Sequence, residues 1–301
     1  MIAEAVGLSV RFKPRLRRRA VTALDGMDLA VQEGDYLALL GLNGAGKTTA
    51  LHCFLGLLRP TSGAVRLMGH RPSAGSSLFR EIGFLPEEPH YHDYLTVGQA
   101  IAYYGGLVGS VGWQEEAARL IERLGLGEYR TMRVRKCSKG IKQKLGIVQC
   151  LLGRPRLLFL DEPMRGLDPL AVRELRDLLI EANSNGATIV MSSHMLSEVE
   201  MVASRVAVLD HGRILAQGRL ADVLGPSDDV YACEVQSCEA FPDYFAEGTR
   251  REATVEGLLP AARFHDFMDF VRGRQLKVLS CTLRRGRLED AFLAVLKQGH
   301  A

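Results

Sequence analysis

The chain has 301 residues, of which 47% are hydrophobic and 24% are charged, and this composition excludes a disordered, collagen-like or disulfide-stapled protein. The formal net charge of +3 is too small to indicate nucleic acid or a membrane surface as a partner. The six cysteines include no C-x-x-C pair, which argues against a zinc ribbon or a thioredoxin-type site.

The first two thirds of the chain alternate between short apolar runs and amphipathic segments. The apolar or alternating runs predict strands at residues 5–12, 27–35, 36–42, 156–163, 187–193, 205–210 and 212–218. Apolar residues at helical spacing predict helices at residues 49–58, 113–126 and 171–186. Buried strands that alternate with amphipathic helices indicate an α/β fold with a parallel sheet.

A change of composition divides the chain near its last quarter. Residues 225–229 read GPSDD, which is typical of a linker, so we expect one domain over residues 1–224 and a second over residues 225–301. The second segment has two strand patterns and two helix patterns. It is therefore predicted to be a small α+β appendage.

A glycine-rich loop follows the third predicted strand. Residues 41–49 read GLNGAGKTT and fit the phosphate-loop pattern G-x-x-x-x-G-K-[ST] between a strand and a helix. The glycines let backbone N–H groups point at phosphate oxygens, Lys47 supplies a charge for the β- and γ-phosphates, and Thr48 supplies a hydroxyl for Mg²⁺. The predicted nucleotide-binding residues of this loop are Gly41, Asn43, Gly44, Ala45, Gly46, Lys47, Thr48 and Thr49.

Two carboxylates stand at the end of the predicted strand over residues 156–163. A buried parallel strand delivers its carboxyl end to the ligand crevice of an α/β sheet, and adjacent residues face opposite ways. Asp161 is therefore predicted to hold Mg²⁺, and Glu162 to act as the general base on the water that attacks the γ-phosphate. In isolation the pattern would indicate only an acidic turn, but the phosphate loop favours catalysis.

Three further segments give the sequence a family resemblance. Residues 137–143 read CSKGIKQ, residues 166–169 read GLDP, and residues 191–194 read MSSH. In this order, together with the phosphate loop and the acidic strand, they resemble the signature, D-loop and switch-histidine motifs of ABC transporter nucleotide-binding subunits. The resemblance covers residues 2–222 and implies a P-loop ATPase fold with a helical signature subdomain at about residues 90–155.

The resemblance assigns roles to individual residues. The resemblance implies that Ser138 and Gly140 meet the γ-phosphate of ATP bound to a partner subunit. A Ser before a Gly at a helix N-terminus is an anion site, although Ser138 alone would indicate only an N-cap. Asp168 is expected to lie at the contact with that subunit, beside its nucleotide. His194 is expected to hydrogen-bond the γ-phosphate and the attacking water.

Several positions depart from the family pattern. Glu87 stands where the family has the Q-loop glutamine, and a carboxylate there is still able to coordinate Mg²⁺ while adding negative charge beside the phosphates. Phe12 stands where an adenine-stacking tyrosine is usual, although a core position would suit it as well. In the signature segment, residues 137–143, Lys139 replaces a glycine, and Arg165 is unusual before the D-loop.

The resemblance also implies partners and a location. The expected cofactors are ATP and Mg²⁺, and the expected partners are a second copy of the chain and separate transmembrane permease subunits, at the cytoplasmic face of the membrane. Residues 84–89 and 137–144 are similar to the ABC-2-type exporter branch, and residues 99–125 are predicted to form the coupling surface. No nucleic-acid partner is expected, and the basic run at residues 13–19 is interpreted as a solvated loop.

Two other functions remain open from the residues alone. One is a soluble ABC-type ATPase that acts on nucleic acid or ribosomes, but such proteins usually have two cassettes or long coiled coils. The other is a regulatory nucleotide-binding module with low turnover, which Glu87 would suit.

Overall fold

The computed structural model describes residues 1–13, 20–73, 75–224, 230–238, 243–245, 247–251, 253–284 and 288–299. These form two compact units, Met1–Leu220 and Ala221–Ala301. The predicted linker at residues 225–229 and the basic run beyond Lys13 lie outside the described residues.

The secondary structure follows the predicted alternation in the first unit. The strands are β1 Ala3–Phe12, β2 Val21–Val31, β3 Tyr36–Leu40, β4 Ser62–Leu67, β5 Ile82–Leu85, β6 Leu157–Asp161, β7 Thr188–Ser193, β8 Arg205–Asp210 and β9 Arg213–Arg219. The helices are α1 Lys47–Phe54, α2 Val97–Val108, α3 Trp113–Arg123, α4 Lys139–Leu151, α5 Pro169–Ser184 and α6 Leu196–Val202, and α7 Leu220–Leu224 follows.

The larger sheet positions the candidate site. Within the described residues its strand order is β5-β6-β7-β3-β8-β9, and every neighbouring pair is parallel except the β8–β9 hairpin. Strands β3, β6 and β7 are buried along their whole length, as expected for parallel strands with both faces covered. Their carboxyl ends therefore share one edge, where the phosphate loop, the paired acids and His194 follow β3, β6 and β7 respectively.

A second, antiparallel sheet completes the core of this unit. Its order is β2-β1-β4, and its apolar side chains belong to the same buried cluster as α1 and the larger sheet. Phe54 of α1 stacks on Phe159 of β6, with ring centroids 5.6 Å apart. Each such buried side chain stabilises the fold by about 1.5–3 kcal/mol, so α1 and the phosphate loop before it are firmly anchored.

The helical region carries α2, α3 and α4. A capping box between Thr96 and Gln99 begins α2. The apolar face of α3 is buried as predicted, and on its charged face Arg119 and Arg123 contact Glu181 of α5 at 2.8 and 2.6 Å. Among the helices that the structure describes, none has both the length and the apolarity needed to cross a membrane.

The second unit is a small α+β unit, as predicted. An antiparallel sheet contains β10 Val230–Gln236, β11 Glu247–Arg250, β12 Thr254–Pro260 and β13 Val278–Arg284 in the order β11-β12-β10-β13, with helices α8 Phe264–Gly273 and α9 Leu288–Gly299. The core includes Phe267 and Val271 of α8. Cys233 of β10 faces Cys281 of β13 with the sulfur atoms 2.9 Å apart, and burial raises the pKa of Cys233 to about 12.

Candidate functional site

A cavity of about 370 Å³ opens at the carboxyl edge of the larger sheet. Residues 42–49 of the phosphate loop form one wall, and the side chains of Glu87, Glu162, Arg165 and His194 face them. Each of these four follows a strand of the sheet directly or within a few residues. The topology therefore gathers chemistry-bearing residues from four separate parts of the sequence.

The glycines of the phosphate loop are required by its backbone path. Gly46 has φ +112°, and a Cβ atom there would lie 2.5 Å from the carbonyl oxygen of Ala23. A Cβ atom on Gly41 would lie 2.4 Å from the carbonyl oxygen of Leu209. A larger residue at either position would clash with these carbonyl oxygens. The two glycines therefore allow the loop to curl tightly and to present its N–H groups and the start of α1 to the cavity.

Lys47 is nearly buried but is well satisfied. Its Nζ atom donates to the carbonyl oxygen of Gly41 at 2.6 Å and lies 3.6 Å from Oε1 of Glu162. The side chain is 7% exposed, so these partners offset the cost of removing its charge from water. The ammonium group is thus held in place beside the cavity.

Glu162 occupies a strained backbone position that its neighbours stabilise. Its φ is +48°, which costs a residue other than glycine about 1–3 kcal/mol. Its N–H donates to Oγ of Ser192 at 2.9 Å, and its Oε2 atom lies 2.7 Å from Nδ1 of His194. Strain of this kind is typical of functional positions, and here it turns the carboxylate toward the cavity between Lys47 and His194.

Asp161 lies inside the sheet rather than on the cavity wall. It is buried, and its Oδ1 atom accepts a hydrogen bond from Oγ of Ser192 at 2.5 Å. Ser192 thus contacts both acids, because its hydroxyl donates to Asp161 and accepts from the N–H of Glu162. The sequence analysis did not identify Ser192, whose only signal was its place at the end of a buried strand.

The oxygen donors at the site fit a magnesium ion. Thr48 and Asp161 offer a hydroxyl and a carboxylate, which are the hard oxygen ligands that Mg²⁺ prefers. Among the described residues, no group of three or more His, Cys, Asp or Glu side chains is arranged to hold a metal ion by itself. Mg²⁺ usually binds beside a nucleotide through one or two protein oxygens, phosphates and water. The assignment of Thr48, Asp161 and Glu87 as its ligands stays a prediction.

Glu87 and Arg165 form an ion pair on the cavity wall. They come together because Leu85 of β5 pairs with Leu160 of β6, so the loops after the two parallel strands are adjacent. The sequence analysis expected Glu87 at the nucleotide but assigned no role to Arg165.

The signature segment, residues 137–143, is not part of the lining of the cavity. Ser138 is the N-cap of α4, and its Oγ atom accepts from the N–H of Ile141 at 3.3 Å. Gly140 packs close to the D-loop, since a Cβ atom there would lie 3.3 Å from the carbonyl oxygen of Gly166. Neither Ser138 nor Gly140 is among the residues that line the cavity. Their predicted contact with ATP therefore requires a second copy.

Asp168 and Phe12 are also outside the cavity lining. Asp168 is the N-cap of α5 and accepts from the N–H of Ala171 at 2.9 Å, which lowers the pKa of Asp168 below its ordinary value. Phe12 is 45% exposed at the end of β1, opposite Val21 of β2. Ala23, two residues further along β2, does line the cavity. The predicted roles of Asp168 and Phe12 remain predictions.

Comparison with known proteins gives consistent matches. The model of a family described as "ABC transporter" matches residues 24–165, which include the phosphate loop, the signature segment and both acids. The chain is 34% identical over 285 residues to an uncharacterized ABC transporter ATP-binding protein of Synechocystis, covering 92% of this chain and 79% of that protein.

Two further similarities extend this result. The chain is 36% identical over 197 residues to the bacitracin transport ATP-binding protein BcrA of Bacillus licheniformis, covering 65% of this chain and 64% of BcrA. Its fold also matches a dimeric structure of a post-hydrolysis state of the ATP-binding cassette MJ0796 bound to ADP and Pi, with a TM-score of 0.66 and 21% identity. That match covers 73% of this chain and 99% of the other.

Proposed function

Because the chain belongs to the family of ABC transporter ATP-binding subunits, with the fold and the ATPase activity of that family, we propose that it drives an exporter through ATP-dependent pairing of two copies. The observation that carries this proposal is the meeting of Lys47, Glu162 and His194 at one cavity while Ser138 lies outside it. One half of a composite site is present in each copy.

The chemistry of hydrolysis follows from the cavity wall. Lys47 stabilises negative charge on the β- and γ-phosphates, and Glu162 accepts a proton from the attacking water. A carboxylate is only an acceptor, so Nδ1 of His194 donates to Oε2 of Glu162 and orients it. Bound Mg²⁺ would supply further neutralisation of charge on the phosphate oxygens.

Pairing of two copies follows from the position of the signature segment. The N-terminus of α4, with Ser138 and Gly140, presents backbone N–H groups and the positive end of the helix dipole, both of which favour an anion. Without the opposing γ-phosphate these donors have no strong ligand, so ATP favours the closed dimer, and the dimer opens once the cleaved phosphate has left. The dimeric cassette MJ0796, bound to ADP and Pi, supports this arrangement by similarity of fold.

An apolar groove of about 610 Å³ is the best candidate for the permease contact. Leu57 and Leu107 line it and are 64% and 63% exposed, and Phe79 and Tyr104 contribute aromatic surface. Exposed apolar surface of this kind is typical of an interaction site. The α2 part of the groove falls within the predicted coupling region, residues 99–125. Because the groove is apolar, it suits a short apolar segment of a membrane subunit that docks at the cytoplasmic face.

The exporter assignment is supported by relatives. BcrA is described as a bacitracin transport ATP-binding protein. Its similarity, together with the ABC-2-like residues 84–89 and 137–144, favours export over import for this chain.

Co-purification with a co-expressed permease tests the proposal, and Leu107→Glu is the informative variant. A carboxylate in the apolar groove must be desolvated on docking, so we expect the permease recovered with the chain to fall at least tenfold while ATP hydrolysis by the isolated chain persists. Ile180→Glu, at an exposed apolar position of α5 outside the groove, is the control and should retain the permease. Equal recovery with Leu107→Glu and with the unmodified chain would refute the docking site, and a chain that binds nucleic acid or ribosomes instead would favour the soluble alternative.

A further inference from the structure

Two basic residues that depart from the family pattern, Lys139 and Arg165, form ion pairs with acids in the loop after β5. Glu87 contacts Arg165, and the neighbouring Glu88 contacts Lys139 with Oε1 and Nζ 2.9 Å apart. The hydrogen bond and charge of Lys139 lower the pKa of Glu88. The loop after β5 is therefore connected by ion pairs to the segment before the D-loop and to the signature segment. The two pairs differ in one respect, since only the Glu87–Arg165 pair lines the nucleotide cavity.

The electrostatics of the cavity give that pair a specific task. The ammonium group of Lys47 already has Glu162 as a neighbour, 3.6 Å away. The triphosphate of ATP brings several negative charges into the same space. An unpaired Glu87 would repel these charges, because like charges in a partly enclosed site interact more strongly than in water. The guanidinium group of Arg165, paired with Glu87, offsets this repulsion.

We propose that Arg165 is a positioning residue that neutralises Glu87 and so permits an acidic side chain to face the phosphates of ATP. This inference rests on the nucleotide site of the proposed function and adds a determinant of its affinity. The Glu87 side chain is 35% exposed and that of Arg165 is 49% exposed, and both line the cavity. Arg165 acts through Glu87 rather than as a phosphate ligand.

A double-mutant cycle separates these two roles. Arg165→Gln alone leaves Glu87 unpaired, and we expect the affinity for ATP to fall about tenfold, an effect that weakens as salt is added. Glu87→Gln alone leaves Arg165 beside the phosphates and should hold or raise the affinity. The double variant Glu87→Gln with Arg165→Gln should return to within about threefold of the unmodified chain, because neither charge remains.

The experiment measures equilibrium binding of ATP and of ADP to the full chain by calorimetry in EDTA, so that hydrolysis does not contribute. Glu88→Gln and Arg154→Gln are matched controls, because each removes one partner of an ion pair outside the cavity and should bind ATP as the unmodified chain does. Thermal unfolding of each variant excludes a folding defect as the cause of weaker binding.

Recovery of affinity in the double variant is the result we expect. If the double variant binds ATP as weakly as Arg165→Gln, Arg165 is itself a phosphate ligand and the inference is wrong. If Arg165→Gln binds as tightly as the unmodified chain, the pair has no role in affinity and the inference is also wrong. If the unmodified chain fails to bind ATP, the proposed function itself is wrong. This outcome differs from the two above, in which the unmodified chain binds ATP and only the inference about Arg165 is wrong.

Discussion

Replacing Glu162 by glutamine should lower the rate of ATP hydrolysis by about 10²- to 10⁴-fold, which is the usual contribution of a general base. The carboxylate lies between Lys47 and His194 at the cavity, and no other described acid has both neighbours. Glutamine keeps the volume of glutamate and one acceptor oxygen, but its NH2 group donates hydrogen bonds and it does not accept a proton from water. Binding of ATP should therefore remain.

Steady-state release of phosphate and calorimetric binding of ATP check this expectation together. Glu174→Gln is a matched control, since Glu174 lies on α5 and pairs with Arg123 outside the cavity. It should hydrolyse ATP at the normal rate. A Glu162→Gln variant with an unchanged rate would remove Glu162 from the role of base, and one that no longer binds ATP would indicate a structural role instead.

Replacing Lys47 by alanine should weaken ATP binding by at least about 100-fold. Lys47 is predicted to make charge-assisted hydrogen bonds to two phosphate groups, and each is worth about 1.5–3 kcal/mol. The alanine also leaves the carbonyl oxygen of Gly41 and the carboxylate of Glu162 without their cation, so negative charge at the cavity increases.

Calorimetry with ATP measures this loss. Lys277→Ala serves as the control. Lys277 is exposed in the second unit, and its substitution removes the same charge from the chain. Its affinity should equal that of the unmodified chain. Binding that is unaffected by Lys47→Ala would show that the phosphates do not lie beside this lysine.

The parts of the site that depend on local patterns could be predicted from the sequence. The phosphate loop requires Gly46 at positive φ and a lysine at the start of a helix, and these two residues are consecutive in the sequence. The meeting of Lys47 with Glu162 follows from one further rule, that parallel strands end at a common edge. These features therefore needed no knowledge of long-range pairing.

The remaining contacts depend on the register and order of the strands. Ser192 reaches Asp161 and Glu162 only because it pairs with Asp161 across β6 and β7, 31 residues away in sequence. Glu87 reaches Arg165 only because β5 and β6 are neighbours. No local periodicity encodes either choice, so these contacts could not be predicted.

Strands outside the large sheet show the same limit. The short β4 joins β1 as the edge of the antiparallel sheet, and β11 and β12 extend the sheet of the second unit. Glycine within β12 weakens its alternating pattern, and β11 has only four residues. Pairing with the distant strands β1 and β10 determines the conformation of β4 and β12, and a hairpin with β12 determines that of β11, rather than the strands' own propensity.

The central claim is that ATP bound around Lys47 is closed over by Ser138 of a second copy. Sedimentation velocity of the Glu162→Gln chain with Mg-ATP and with Mg-ADP tests it most directly, in combination with two substitutions that both retain the N-cap acceptor of α4. We predict a dimer with ATP and a monomer with ADP. Ser138→Asp should abolish the ATP dimer, because its carboxylate repels the γ-phosphate. The neutral Ser138→Asn should retain the dimer. A chain that stays monomeric with ATP, or a Ser138→Asp variant that dimerises as readily as Ser138→Asn, would contradict the account.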